Sequence, residues 1–186
     1  MKTKIFVLTT LLVLAFSFSG FRAQESKVAW ISLKDAVEKN KKKPKKILID
    51  VYAVWCGPCK RMDAVTFGDP FIADYVNKNF YPVKFNAEGN DTIEFKGNVY
   101  VNRNFDPAKT ATRNGTHEFT MAVAPVNGRV AYPTIVYMDE EFNILQPVQG
   151  SLTPEQIEPI LNYFGENNYK TMDWAAFQSS FVSKRQ

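Results

Sequence analysis

The stretch Asp50-Val51-Tyr52-Ala53-Val54-Trp55-Cys56-Gly57-Pro58-Cys59-Lys60 decides how the rest of the chain is read. Together with Ile47-Leu48-Ile49 it is almost continuously apolar, as a strand covered on both faces must be. It then runs through two cysteines, the only two among 186 residues, into helix-forming sequence. A Cys-x-x-Cys pair at a strand-to-helix junction is the sequence form of a dithiol redox centre. The spacing has a geometric reason. A cysteine in the first turn of a helix aims its sulfur at unpaired backbone N–H groups and at the positive end of the helix dipole, and both favour the thiolate. A second cysteine three residues later lies on the same face, within reach of a disulfide. Pro58 suits the first turn, where no N–H is needed.

Two competing readings of the cysteines are weaker. A staple closing so short a loop restrains the unfolded chain little. A structural zinc takes four ligands, and the chain offers these two cysteines and a single histidine, His117. No metal and no cofactor are expected. His117 itself reads as a satisfied or solvated side chain.

The beginning of the chain is read separately. Lys2 and Lys4 precede an apolar run of 14 residues, Ile5 to Phe18, followed by Ser19, Gly20 and Ala23. That is the layout of a signal peptide, and the run falls short of the roughly 20 residues that cross a bilayer. A leader over residues 1–23 and a single domain over 24–186 are expected, with cleavage after Ala23 or after Ser19. Removing Lys2, Lys4 and Arg22 leaves 20 basic against 19 acidic residues, so the formal charge of +4 falls to +1. No strong field for nucleic acid or a membrane surface then remains. The basic run Lys41 to Lys46 reads as a solvated helix end.

Further elements follow from caps and periodicity. Ser32 has capping-box form and opens a helix to about Lys42. The Cys56 helix carries Met62 and Val65 and breaks near Gly68; Asp69-Pro70 restarts it, with Phe71, Ile72, Tyr75 and Val76 at helical spacing. Phe80 to Asn86 reads as the second central strand. Residues 87–115 carry loop chemistry around a strand-like Val99-Tyr100-Val101, and a helix resumes near Thr116 and ends at Ala124. Val130 to Asp139 is a strand, turning through Asp139 to Asn143 into Ile144 to Val148. Thr153 caps a helix to about Phe164, and Thr171 to Val182 forms a short helix with Met172, Ala175, Ala176 and Phe177 inward.

Trp55-Cys56-Gly57-Pro58-Cys59-Lys60 resembles the active site of thioredoxins residue for residue, and the element order from about Ile47 to Phe164 is similar to theirs. Cys59-Lys60-Arg61-Met62 with Thr66-Phe67-Gly68-Asp69-Pro70 is more similar to exported thioredoxin-like proteins and to the C-terminal domain of a membrane reductant relay. The resemblance implies an α/β thioredoxin fold: a central mixed sheet with flanking helices. An extra N-terminal helix, an insertion over 97–115 and a C-terminal helical extension are added to it. The insertion reads as surface decoration or as a lid.

Roles follow residue by residue. Cys56, at an exposed helix tip, is the expected nucleophile, and Cys59, a turn deeper, resolves the mixed disulfide. Asp50 stands in an apolar strand, where burial raises a carboxyl pKa and makes it a proton acceptor for Cys59; turned outward at a strand end it would do neither. The resemblance matches Lys84 to the lysine that moderates this aspartate, against plain surface exposure. Pro133 matches a cis proline that packs on the cysteines, behind a backbone segment that pairs with substrate as an added strand. Tyr132 departs from the small or branched residue common before that proline. Trp55, Gly57, Pro58 and Gly150 complete the expected substrate-binding set, with a core tryptophan and an ordinary turn glycine as the bland alternatives for Trp55 and Gly150.

The expectation is an exported thiol–disulfide oxidoreductase, periplasmic or secreted, that reduces disulfide-containing protein substrates. The Gly-Pro dipeptide sets the direction by resemblance. A reductant outside the cytoplasm needs electrons, so a membrane thiol relay is the implied donor. A non-catalytic peptide-binding module on the same scaffold, or an oxidase or isomerase, are the alternatives.

Overall fold

Residues 27–185 are described by the computed structural model, and the expected leader lies outside them. Helix α1 (Leu33–Lys42) starts where Ser32 accepts the Asp35 N–H at 3.0 Å, a cap worth about 1 kcal/mol. Strand β1 (Lys46–Tyr52) buries its first six residues. Helix α2 (Gly57–Val65) follows, then α3 (Pro70–Asn79), capped by Asp69 on the Ile72 N–H. In α2, Met62 is buried but Val65 is exposed, and Phe67 beyond the helix end fills the core instead.

Strand β2 (Phe80–Asn86) pairs in parallel with β1, setting Lys84 opposite Asp50. Strands β5 (Thr134–Met138) and β6 (Ile144–Gln149) add antiparallel neighbours, giving the order β2-β1-β5-β6. The expectation of β2 as a central strand is corrected. Among the described residues it is an edge, touched on its outer side only by a bridge from Ile31 to Val83, and β5 takes the inner place beside β1. The reason is polarity. Every residue of β5 is buried, whereas β2 leaves Tyr81, Lys84 and Asn86 partly open.

Successive residues of β1 alternate faces. Leu48 faces a core with Met62, Ile72, Val76, Ile157 and Leu161, beneath α2, α3 and α5 (Pro154–Gly165). Ile47, Ile49 and Val51 face a second core closed by Leu33 and Ala36 of α1 and by Phe119 of α4 (Glu118–Val123). Asp50 shares the Leu48 face, so it points under α2.

The segment between β2 and α4 is better ordered by contacts than its composition suggests. Strands β3 (Ile93–Phe95) and β4 (Asn98–Tyr100) form a hairpin, with Lys96 and Gly97 both at positive φ, 50° and 78°. That is the mirror-image turn that tight hairpins favour. Buried Asn102 donates to the carbonyls of Gly89 (3.0 Å) and Gly115 (2.6 Å), tying together the two ends of this segment. His117 is fully buried: its Nδ1 accepts the Phe119 N–H at 3.0 Å, capping α4, and its Nε2 lies 2.7 Å from the Asp91 carbonyl. With Nδ1 accepting, Nε2 carries the proton and both nitrogens are satisfied.

At the other end, α6 (Trp174–Ser180) is capped by Asp173. This start turns Trp174, Phe177 and Phe181 onto the core and leaves Met172, Ala175 and Ala176 exposed, which corrects the inward set expected from sequence apart from Phe177. Arg185 then pairs with Glu155 and Asp69 at 2.7 and 2.8 Å, clamping the C-terminal segment to the starts of α5 and α3.

Candidate active site

β1 ends at Tyr52, and the chain turns through Val54 and Trp55 to set Cys56 as the N-cap of α2. The Cys56 sulfur accepts the Cys59 N–H at 3.1 Å and is bonded to the Cys59 sulfur, with the two Cα atoms 5.3 Å apart. The expected pairing and the helix-tip placement are therefore both present. The expected exposure is not. Each cysteine is only 2% exposed, while Gly57 and Pro58 between them are open. The cover is thin and made of surface side chains: Trp55 and Tyr132, both partly exposed, pack over the disulfide and meet edge to face with centroids 5.9 Å apart.

The Tyr132–Pro133 peptide bond is cis, and Pro133 is buried directly before β5. The Pro133 carbonyl accepts the Gly150 N–H at 2.9 Å. Gly150 has φ 105°, a left-handed conformation that disfavours any side chain. The Tyr132 backbone N–H and C=O pair with no other backbone group among the described residues. The unpaired backbone of Tyr132, just before β5, thus lies beside the sulfurs.

Beneath α2 sits the buried carboxyl of Asp50, 2% exposed. Burial drives its pKa up, against the pull of Lys84, to about 6. The Lys84 ammonium bonds Asp50 Oδ2 at 2.5 Å, and Asp50 Oδ1 has no partner among the described residues. Lys84 also bonds the Asp63 carboxylate. Burial pulls the Lys84 pKa down, but these two carboxylates outweigh it and the net direction is up. Asp63 was not singled out from sequence. Its signal was its place on α2 four residues after Cys59, which puts both on one helix face. Lys84 therefore joins Asp50 to the helix that carries the cysteines, and neither outward rotation of Asp50 nor free exposure of Lys84 holds. Lys84 and Asp63 open on a cleft of about 410 Å³ that Trp30 and Phe67 also line.

Glu88 was also missed. It is 7% exposed, and its Oε2 accepts the Trp55 indole N–H at 2.7 Å and the Asn114 backbone N–H at 2.8 Å. The guanidinium carbon of Arg113 stands 4.0 Å from the centre of the Trp55 ring. The far end of the 97–115 insertion is therefore part of the wall around the disulfide rather than remote decoration. Among the expected residues, the structure brings together Trp55, Cys56, Gly57, Pro58, Cys59, Tyr132 and Pro133 around the sulfurs. Gly150 stands behind Pro133, and Asp50 with Lys84 beneath α2.

Comparison with known proteins bears on the family and the fold. A family model described as a thioredoxin-like domain matches residues 33–165. The thiol:disulfide interchange protein DsbD of Vibrio vulnificus (strain YJ016) is 36% identical over 66 residues, which are 31% of this chain and 11% of that protein. The chain thus spans a small part of the length of that relative. Among solved structures, a thioredoxin-fold protein from Helicobacter pylori superposes with a TM-score of 0.54 at 16% identity, covering 84% of each chain. A thioredoxin from Thermus thermophilus gives 0.51 at 11% identity, covering 86% of this chain and 99% of its own. At these identities the structural likeness is one of fold, and the matched span of the family model carries the assignment. The chain belongs to the thioredoxin-like family.

Proposed function

We propose that this protein is an exported thiol–disulfide oxidoreductase that reduces disulfides in protein substrates through Cys56 and Cys59. The observation that carries the reading is the Cys56–Cys59 disulfide at the N-cap of α2, its outer sulfur held by a backbone N–H. In the reduced protein the same N–H and the helix dipole stabilise a Cys56 thiolate. That thiolate attacks a substrate disulfide, forming the mixed disulfide, and expels one substrate thiolate, which takes a proton from water. The Cys59 thiol then loses its proton and attacks the Cys56 sulfur. The second substrate thiolate leaves, and the internal disulfide re-forms.

Asp50 is the acceptor for the Cys59 proton. A carboxyl with a pKa of about 6 is mostly ionised at neutral pH yet close enough to it to take and release a proton readily. The Lys84 bridge to Asp63 connects it to the open cleft beside α2, through which the proton returns to water. Pairing along the free Tyr132 backbone would hold the substrate chain as an added strand. Tyr132 must swing aside for a substrate sulfur to reach Cys56, a side-chain movement at the surface that leaves the core and the Trp55 bond to Glu88 intact.

Export rests on the basic and apolar layout of residues 1–23. The direction rests on the Gly-Pro dipeptide, and the electron donor is then a membrane thiol relay. Trapping tests the proposal. The variant Cys59→Ser, expressed in the native compartment, should accumulate mixed disulfides on Cys56 with exported proteins. The wild-type protein should be recovered largely reduced. A Cys59→Ser variant that captures nothing ends the dithiol reading, and a wild-type pool that stays oxidised reverses the direction.

A further inference from the structure

We propose that Arg113, from the end of the insertion, is a specificity-determining residue that favours substrates with a carboxylate side chain next to the disulfide. The inference rests on the dithiol reading above and adds the substrate class. Trp55 immediately precedes the nucleophile, so a group lying on its ring stands where the residues flanking a substrate cysteine must pass. Arg113 is that group, with its guanidinium carbon 4.0 Å above the ring centre.

The guanidinium is placed but not neutralised. Arg113 is exposed and makes no ion pair and no hydrogen bond to the protein among the described residues. The nearby carboxylate, Glu88, is already engaged by the Trp55 and Asn114 N–H groups. The same Glu88 bond to Asn114 anchors the residue after Arg113, so the arginine is positioned by its backbone rather than drifting on a loose loop. On the same wall, burial raises the Tyr132 pKa, Glu88 adds to the rise, and Thr116 and Arg113 oppose it. Stacking on an indole leaves the guanidinium edge, with its fork of donors, free for a carboxylate. Lys60 and Arg61, both exposed on the first turns of α2, add the same sign on the helix that carries the cysteines. A substrate loop with aspartate or glutamate beside its cysteine meets this surface with complementary charge. One with lysine there meets repulsion.

The test uses the Cys59→Ser protein and two disulfide peptides identical except for aspartate or lysine beside the attacked cysteine. The rate of mixed-disulfide formation is measured for each at low and at physiological salt. The acidic peptide should react about threefold faster or more, with a preference that shrinks as salt rises. Arg113→Lys should keep the preference, Arg113→Gln should lose most of it, and Arg113→Glu should invert it. Equal rates for the two peptides, or a preference that survives in Arg113→Glu, overturns the proposal while the dithiol reading stands. Failure of both peptides to couple to Cys56 at all overturns the dithiol reading, and this inference falls with it.

Discussion

Replacing Asp50 with asparagine should make the oxidised protein more stable at neutral pH, by an amount that fades as the solution is acidified. Asp50 is buried, and its pKa in the fold is about 6 against an ordinary value of 3.8. A folded-state pKa above the unfolded one means that the native protein binds the proton more tightly. Stability therefore falls as pH rises from about 4 to about 6, and remains lowered above that window. A shift of roughly two units corresponds to about 3 kcal/mol that the fold gives up to keep this carboxylate ionised at pH 8. Asparagine removes that cost but leaves a buried amide with two N–H groups to satisfy, which takes back about 1–2 kcal/mol. A net gain of about 1–2 kcal/mol at pH 8 is expected, shrinking to nothing or changing sign below pH 4. Urea unfolding at half-unit pH steps, with the disulfide kept closed so that no thiol titrates, measures it directly. Lys84→Met should act in the opposite sense, since loss of the ammonium 2.5 Å from Oδ2 pushes the Asp50 pKa further up. A stability difference between wild type and Asp50→Asn that does not change with pH would refute the account. So would an asparagine variant that is less stable at pH 8.

Two further substitutions probe the walls of the site. Glu88→Ala leaves the Trp55 and Asn114 N–H groups without their shared acceptor. It should cost about 1–3 kcal/mol and speed amide hydrogen exchange at Asn114; unchanged exchange there would show that the insertion is held by other contacts. Gly150→Ala meets open space but must keep φ near 105°. It should lower stability by about 1 kcal/mol, read as a shift in the urea midpoint with unchanged slope, and a neutral result would mean that the turn relaxes freely.

Much of this protein is determined by short-range sequence. The Cys-Gly-Pro-Cys spacing sets a disulfide at a helix start because residues three apart share a helix face, and the apolar run from Ile47 marks a strand buried on both sides. Caps such as Ser32, Asp69 and Thr153 mark helix starts through local hydrogen bonds, so they are legible within four residues. What needed the tertiary structure is whatever depends on partners far away in the chain. Lys84 reads alone as a surface lysine or a paired one; the parallel register of β1 and β2 decides for the pair and recruits Asp63 from a third element. Glu88 and Arg113 carry no local pattern, and only closure of the insertion onto Trp55 gives them a place at the site. The near-complete cover of Cys56 is likewise invisible to spacing, since Tyr132 arrives from a strand entrance more than seventy residues downstream. Periodicity and capping act over a helix turn or a strand width, whereas burial and charge pairing belong to the assembled sheet.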